Sequence, residues 1–200
     1  MKSPAILARD TRVVTMPIEL REAGGAPVLT GVAVRYGDWS ELLYGVFRER
    51  FLPGAFREHL ATSPDVIATV NHAPAMLLAR TAAGTLALAE DDTGVSVELT
   101  PPDTSYARDL IVSVKRGDIR GMSFMFDTDM GDVTAERWYT GDDGVRRRDV
   151  SKARLYEVSF VSTPAYPTTE AALRSLKVWD ATHAARSDIR KRRLAMAARE

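Results

Sequence analysis

Three residue types that together can catalyse hydrolysis through a serine nucleophile occur in separate parts of this sequence. Ser123 lies within the apolar run 121–126, His72 follows the apolar run 66–70, and Glu157 lies in a third apolar run. A serine hydroxyl is a poor nucleophile until a base takes its proton, and a third group must orient the base and stabilise its cation. The sequence therefore offers a base, a nucleophile and an acid, in the order His72, Ser123, Glu157.

The run around Ser123 predicts a β-strand, because it is apolar and aromatic and is bounded by Gly121 and Asp127. Side chains alternate across a strand, so Ser123 faces away from Phe124 and Phe126. The motif Gly-x-Ser-x-Gly is missing, so an α/β-hydrolase elbow is not expected. In the alternative interpretation, Ser123 is an ordinary half-buried hydroxyl whose hydrogen bonds are satisfied by its neighbours.

Of the three histidines, His72 has the position that suits a catalytic base. It follows a β-branched run and comes shortly before Pro74, which stops regular pairing, so its ring is predicted at the rim of a sheet. His59 is predicted on the surface of a polar helix, and His183 lies in the charged C-terminal tail. The alternative for His72 is a structural role.

Arg80 and Glu157 each allow two interpretations. Arg80 follows a short apolar run, and its guanidinium could support an oxyanion at the same rim. As an alternative, it is a surface cation. An unpaired carboxylate in an apolar strand is costly, so Glu157 needs a partner. That partner is either His72 or a basic neighbour such as Arg154.

The composition excludes several other kinds of site. There is no cysteine, which excludes disulfides, thiolate zinc sites and a cysteine nucleophile. The chain has 27 basic and 27 acidic residues, which argues against nucleic-acid binding through a general positive field. There is no His-Glu-x-x-His motif and no phosphate-binding glycine loop. We therefore expect no metal and no cofactor.

The pattern of short apolar runs and turns predicts a mainly β protein with some α-helix, an α+β fold. Regular turn signals separate these short runs, which suits a closed or sandwich-like antiparallel sheet. One helix is predicted over residues 105–116, with Asp103 or Thr104 as its N-cap and Gly117 at its C-terminal end. No run is long enough for a membrane helix, and no apolar signal core is present, so a cytoplasmic protein is expected.

The chain divides into three predicted parts: a loose N-terminus at 1–11, one domain at 12–177, and an alanine- and arginine-rich helical tail at 178–200. Residues 186–200 contain six basic and two acidic residues, whereas the whole chain is neutral. A basic segment of this kind can dock on an acidic partner helix. In the alternative interpretation it is a solvated appendage.

A set of short motifs, in order along residues 28–175, resembles the tailed-phage prohead proteases, also called capsid maturation proteases. The motifs are Phe51-Leu52-Pro53-Gly54-Ala55-Phe56, Asn71-His72-Ala73-Pro74, Leu78-Ala79-Arg80-Thr81, Asp103-Thr104-Ser105-Tyr106-Ala107-Arg108-Asp109-Leu110, Arg116-Gly117-Asp118-Ile119-Arg120-Gly121-Met122-Ser123-Phe124, Glu157-Val158-Ser159 and Thr163-Pro164-Ala165-Tyr166-Pro167. Many relatives carry an acidic residue where this chain has Ala73.

The resemblance implies a serine endopeptidase with a fold similar to the herpesvirus assemblins, a small closed antiparallel β-barrel ringed by helices. It places the family's histidine at His72, its serine at Ser123 and the acidic member at Glu157. It also implies an enzyme inside the immature capsid in the host cytoplasm, self-associating, with no direct nucleic-acid or membrane role. Its substrates would be the scaffold, the scaffolding segment of the major capsid protein, and itself. The alternative is a non-catalytic scaffold or assembly protein on the same fold.

Overall fold

The computed structural model describes residues 9–15, 18–128, 132–162 and 175–182. The strands within these residues are β1 (Asp10–Val14), β2 (Glu19–Ala23), β3 (Ala26–Arg35), β4 (Phe47–Phe51), β5 (Ile67–Val70), β6 (Ala73–Arg80), β7 (Leu86–Glu90), β8 (Gly94–Leu99), β9 (Gly121–Asp127), β10 (Glu136–Thr140), β11 (Arg146–Val150) and β12 (Arg154–Val161). The helices are α1 (Arg57–Ala61), α2 (Ser105–Arg116) and α3, of which residues 175–182 are described. A 3₁₀ turn spans Thr81–Ala83.

The described strands form three sheets, in the orders β1-β9-β12-β5-β6, β2-β3-β8-β7 and β10-β11-β4. The fold is therefore α+β and mostly sheet, but the predicted closed antiparallel barrel is not found in this part of the chain. Two pairs are parallel, β12 with β5 and β11 with β4. Parallel pairing joins strands that are distant in sequence, and local patterns of turns and alternation do not reveal it.

The main core lies between the five-stranded and the four-stranded sheet. Strand β9 contributes Met122, Phe124 and Phe126, all almost fully buried in this core. The ring of Phe51 meets both phenylalanines edge to face, with centroids 5.4 and 4.9 Å apart. The predicted alternation of β9 is thus confirmed, and Ser123 lies on the opposite face of the sheet.

The sequence predicts the bounds of helix α2 correctly and the start of strand β6 incorrectly. Helix α2 has the predicted bounds, and Gly117 ends it in the left-handed region with φ 79°. Strand β6 runs through Pro74, where pairing was predicted to stop. Pro74 is tolerated there because β6 lies at the edge of its sheet, where one side of the backbone has no strand to bond.

A buried cluster of charged side chains joins β1 to the three-stranded sheet. Arg148 of β11 is 1% exposed and donates to Glu49 at 2.6 Å, to Asp10 at 3.2 Å and to Glu136 at 2.6 Å. Arg12 of β1 donates to the two oxygens of Glu49 at 2.7 and 3.1 Å. Burial by itself would raise the pKa of Glu49, but the two guanidinium groups outweigh burial and hold it below its usual value.

The same cluster shows that the N-terminal segment is ordered closer to its start than predicted. Strand β1 begins at Asp10, inside the segment expected to be loose, and Asp10 is 1% exposed. One of its carboxylate oxygens, Oδ1, is buried without a hydrogen-bond partner in the described part of the chain. Residues 1–8 lie outside the described residues.

Helix α3 crosses the predicted boundary between the domain and the tail at residues 177 and 178. Leu176 is buried in a second apolar cluster with Leu43, Phe47 and Trp138, and Trp179 packs against the same cluster. The next turn is held as well, since Arg146 donates to Asp180 at 2.9 Å. The first residues assigned to the tail are thus part of the packed structure, and the basic segment 186–200 lies outside the described residues. No helix in the described ranges is long and apolar enough to span a membrane.

Candidate active site

His72, Ser123 and Glu157 meet on the face of the five-stranded sheet that points away from the main core. Ser123 comes from β9 and Glu157 from β12, which pair antiparallel, and His72 lies in the turn between β5 and β6. His72 Nε2 is 2.7 Å from Ser123 Oγ, and His72 Nδ1 is 2.7 Å from Glu157 Oε1. The histidine ring thus lies between the serine and the carboxylate, with one nitrogen on each.

The backbone at His72 has an unusual conformation that directs its ring over the sheet. Asn71 and His72 have φ 50° and 57°, in the left-handed region that residues other than glycine seldom adopt. Three contacts hold the turn. The N–H of Asn71 donates to Phe160 O at 3.0 Å, the N–H of His72 donates to Ser159 Oγ at 2.9 Å, and the N–H of Ser162 donates to Asn71 Oδ1 at 3.1 Å. The end of β12 therefore fixes the position of His72.

Glu157 is 6% exposed, and its carboxylate is used by the site. Oε1 accepts a hydrogen bond from Thr69 Oγ1 at 2.8 Å in addition to its contact with His72. The alternative partner, Arg154, donates to Asp127 at 2.7 Å. Of the two partners predicted for Glu157, the structure therefore places His72 against it.

Ser123 has no exposed surface, and its hydroxyl lies between two acceptors. Besides Nε2 of His72, the backbone oxygen of Arg12 in β1 is 2.8 Å from Ser123 Oγ. A hydroxyl has one proton, so the Arg12 oxygen competes with the histidine for it. Reaction with a carbonyl carbon requires both a shift of the atoms that cover Ser123 and transfer of this proton to His72.

Arg80 does not join this group, which corrects the prediction of an oxyanion role. It is the last residue of β6 and pairs with Ile67 at the start of β5, whereas His72 follows the end of β5. Its guanidinium forms an exposed ion pair with Asp65. The apolar run before Arg80 was correctly assigned to a strand. The direction of the β5–β6 hairpin, however, places the end of that strand away from His72.

His59 is also placed differently from its prediction. Its Nδ1 accepts the N–H of Leu155 at 3.1 Å, which ties α1 to the start of β12. Burial of the ring lowers the pKa of His59. This histidine therefore has a packing role, and His183 lies outside the described residues.

Sequence reasoning assigned no role to Thr69 or Ser159, both of which are fully buried beside the three residues. The signal was present in the spacing, since Ser159 follows Glu157 by two positions and so shares its face of the strand. Among the described residues, no cluster of three or more acidic or histidine side chains could hold a metal ion.

A serine, a histidine and a carboxylate joined in this order form the arrangement of serine hydrolases. The chain belongs to the caudovirus prohead serine protease family, whose model matches residues 14–183. A solved structure, that of the capsid assembly protease gp21 of bacteriophage T4, is similar in fold. It matches with a TM-score of 0.53 and 9% identity, over 77% of this chain and 97% of that one. A search of curated proteins found no match.

Proposed function

We propose that this chain is a serine endopeptidase in which Ser123 is the nucleophile, His72 the general base and then acid, and Glu157 the residue that orients His72. The observation that carries the proposal is the continuous set of hydrogen bonds from Ser123 Oγ through both ring nitrogens of His72 to Glu157 Oε1. Membership of a family of prohead serine proteases supports the same chemistry.

The geometry suggests how the three groups share the reaction. Glu157 accepts from Nδ1 of His72, so Nε2 presents its lone pair to the hydroxyl of Ser123. As Oγ attacks the scissile carbonyl carbon, its proton passes to Nε2, and the carboxylate stabilises the imidazolium that forms. His72 then returns the proton to the leaving amine, and water hydrolyses the acyl-enzyme by the reverse sequence.

The proposed substrates are the scaffold and the scaffolding segment of the major capsid protein, with self-cleavage as a further reaction. The support is the family's description as prohead proteases and the description of the T4 protein as a capsid assembly protease. The enzyme would then act inside the immature capsid in the host cytoplasm and self-associate there.

A second candidate function is a non-catalytic scaffold or assembly protein on the same fold. One observation favours it, which is that Ser123 has no exposed surface and also lies in hydrogen-bond contact with the Arg12 backbone. The two functions differ in whether the hydroxyl can react.

Incubation with a fluorophosphonate, followed by peptide mapping, tests which candidate is correct. We expect the folded wild-type protein to gain one adduct at Ser123, because the reagent reacts with a serine activated by its base. Ser123→Ala should gain none there, and heat-unfolded wild type should lose the reactivity. A folded wild type without an adduct on Ser123 would favour the non-catalytic alternative.

The basic segment 186–200 is proposed to recruit the enzyme to an acidic scaffold surface. The correct truncation to test this ends at residue 182, because it keeps Trp179 and Asp180 in place on the domain. We expect chain 1–182 to retain phosphonate labelling and to lose incorporation into assembling capsids.

The comparison for this truncation is chain 1–177, which also loses Trp179. This shorter chain should melt at lower temperature than chain 1–182, since it loses an aromatic contact and an ion pair. Normal incorporation of chain 1–182 would show that the basic segment is a solvated appendage.

A further inference from the structure

Two fully buried hydroxyl groups that the proposed mechanism does not use lie next to Ser123. Thr69 of β5, Ser159 of β12 and Ser123 of β9 are direct partners in strand register, so they form one row across three strands. All three have no exposed surface. Such a row of polar side chains on a buried face is costly unless each hydroxyl is satisfied.

The groups that flank Thr69 and Ser159 determine the direction of the hydrogen bonds that these two hydroxyls make. The backbone N–H of His72 can only donate, and it contacts Ser159 Oγ at 2.9 Å. An ionised Glu157 carboxylate can only accept, so Thr69 Oγ1 gives its single proton to Oε1 at 2.8 Å. Ser159 Oγ lies 3.1 Å from Thr69 Oγ1 and 3.2 Å from Thr69 O, so its own proton goes to Thr69.

These bonds form a closed circuit that begins and ends at one residue. It leads from the N–H of His72 through Ser159 and Thr69 to Glu157, and returns from Glu157 Oε1 to Nδ1 of His72. The circuit holds the left-handed backbone of His72 and its ring at the same time. Because Oε1 accepts from both Thr69 and Nδ1, the carboxylate is locked in the orientation that leaves Nε2 as the acceptor for Ser123.

We propose that Thr69 and Ser159 are positioning residues for this reaction, which hold Glu157 and His72 in the geometry for proton transfer from Ser123. The inference rests on the proposed function. Neither residue touches the reacting atoms in this role, and both act through His72 and Glu157. Removing either hydroxyl opens the circuit. Loss of the Thr69 hydroxyl frees the Glu157 carboxylate, and loss of the Ser159 hydroxyl frees the backbone of His72.

The decisive variant is Thr69→Val, which keeps the shape of the side chain and removes its hydroxyl. The measurement is the second-order rate constant for fluorophosphonate labelling of Ser123 in the full chain. We expect it to fall by about tenfold to a hundredfold, because a small misplacement of a catalytic group has an effect of this size. Thr69→Ser restores the hydroxyl and should label within about threefold of wild type.

A matched control tests whether any lost hydroxyl in this hairpin has the same effect. Thr81 accepts the N–H of Val66 at 2.9 Å and donates to Pro64 O at 2.6 Å, near the other end of β5 from His72. Thr81→Val should therefore label like wild type. Labelling of Thr69→Val at the wild-type rate, or equal losses in both valine variants, would overturn the positioning role.

A spectroscopic measurement keeps the two proposals separate. The proton on Nδ1 of His72 should give a far-downfield NMR signal in the wild type, which shifts or broadens in Thr69→Val and not in Thr81→Val. The NMR signal does not depend on activity, so it tests the hydrogen-bond circuit even in an inactive protein. Failure of the wild type to label would count against the proposed function and not against the circuit. If Thr69→Val does not fold, Ser159→Ala provides the same comparison. We expect the signal of the Nδ1 proton to change in this variant, and an unchanged signal would contradict the proposal.

Discussion

If Glu157 has the proposed role, replacing it with glutamine is expected to lower turnover by about a hundredfold to ten-thousandfold, as in serine hydrolases that lose the acidic member. The amide oxygen can still accept from Thr69 and from Nδ1 of His72, which are the two bonds that Oε1 accepts in the wild type. What is lost is the negative charge that stabilises the imidazolium. The loss should appear in kcat, because that charge matters most when the histidine is protonated.

The measurement is hydrolysis of a peptide that contains a site cut by the wild-type enzyme, together with a thermal melt. Glu98→Gln is a suitable control, since Glu98 is an exposed residue of β8 paired with Arg21. It should leave turnover unchanged. Wild-type turnover in Glu157→Gln would assign the third role to another residue, and a large fall in melting temperature would show a mainly structural role.

Replacing Arg148 with methionine is expected to lower the free energy of unfolding by about 3–5 kcal/mol, the usual effect of removing one partner from a buried ion pair. Arg148 contacts Glu49, Asp10 and Glu136. Methionine fills similar space but leaves the buried carboxylates of Glu49 and Asp10, and the partly buried one of Glu136, with less positive charge nearby. Since small domains are stable by about 5–15 kcal/mol, the variant would lose much of its stability.

Chemical denaturation at neutral pH measures this change, with Arg116→Met as the control. Arg116 is exposed on α2 and pairs with Asp118, and such surface pairs contribute about 0–1 kcal/mol. Arg148→Lys should lie between wild type and methionine, because lysine keeps the charge and loses the planar fork. A change below about 1 kcal/mol in Arg148→Met would contradict the assigned role of the cluster.

The cluster also predicts how the difference between wild type and variant depends on pH. The pKa of Glu49 is lower in the folded state than its ordinary value of 4.5, so its contribution is present above that pH and is lost as pH falls through the folded pKa. A protonated carboxyl no longer needs Arg148. The stability difference between wild type and Arg148→Met should therefore be largest near neutral pH and become smaller below about pH 4.5.

Strand β1 connects the buried charged cluster to the candidate active site. Arg12 joins the cluster through its side chain, and its backbone oxygen contacts Ser123. Loss of the cluster is thus expected to disturb the surroundings of Ser123 indirectly. This connection has no signal in the sequence, because Arg12 and Ser123 are 111 positions apart and meet only through the pairing of β1 with β9.

Local patterns in the sequence were enough to predict several features. The alternation of the run around Ser123 placed the serine opposite Phe124 and Phe126, and the N-cap residues and the glycine at the two ends of α2 predicted its bounds. These features are determined by backbone geometry over a few residues, which is the range that periodicity reports. The residue types also excluded a cysteine nucleophile, since the chain has no cysteine, and offered a serine, a histidine and a carboxylate as candidates.

The tertiary structure decided which of these residues meet. The pairing of β12 with β5 on one side and with β9 on the other brings Thr69, Ser159 and Ser123 into one row, and the hairpin of β5 and β6 separates Arg80 from His72. It also divided the strands of the described residues into three sheets where a closed barrel was predicted. Strand order and register depend on packing between segments that are far apart along the chain, so no local pattern encodes them.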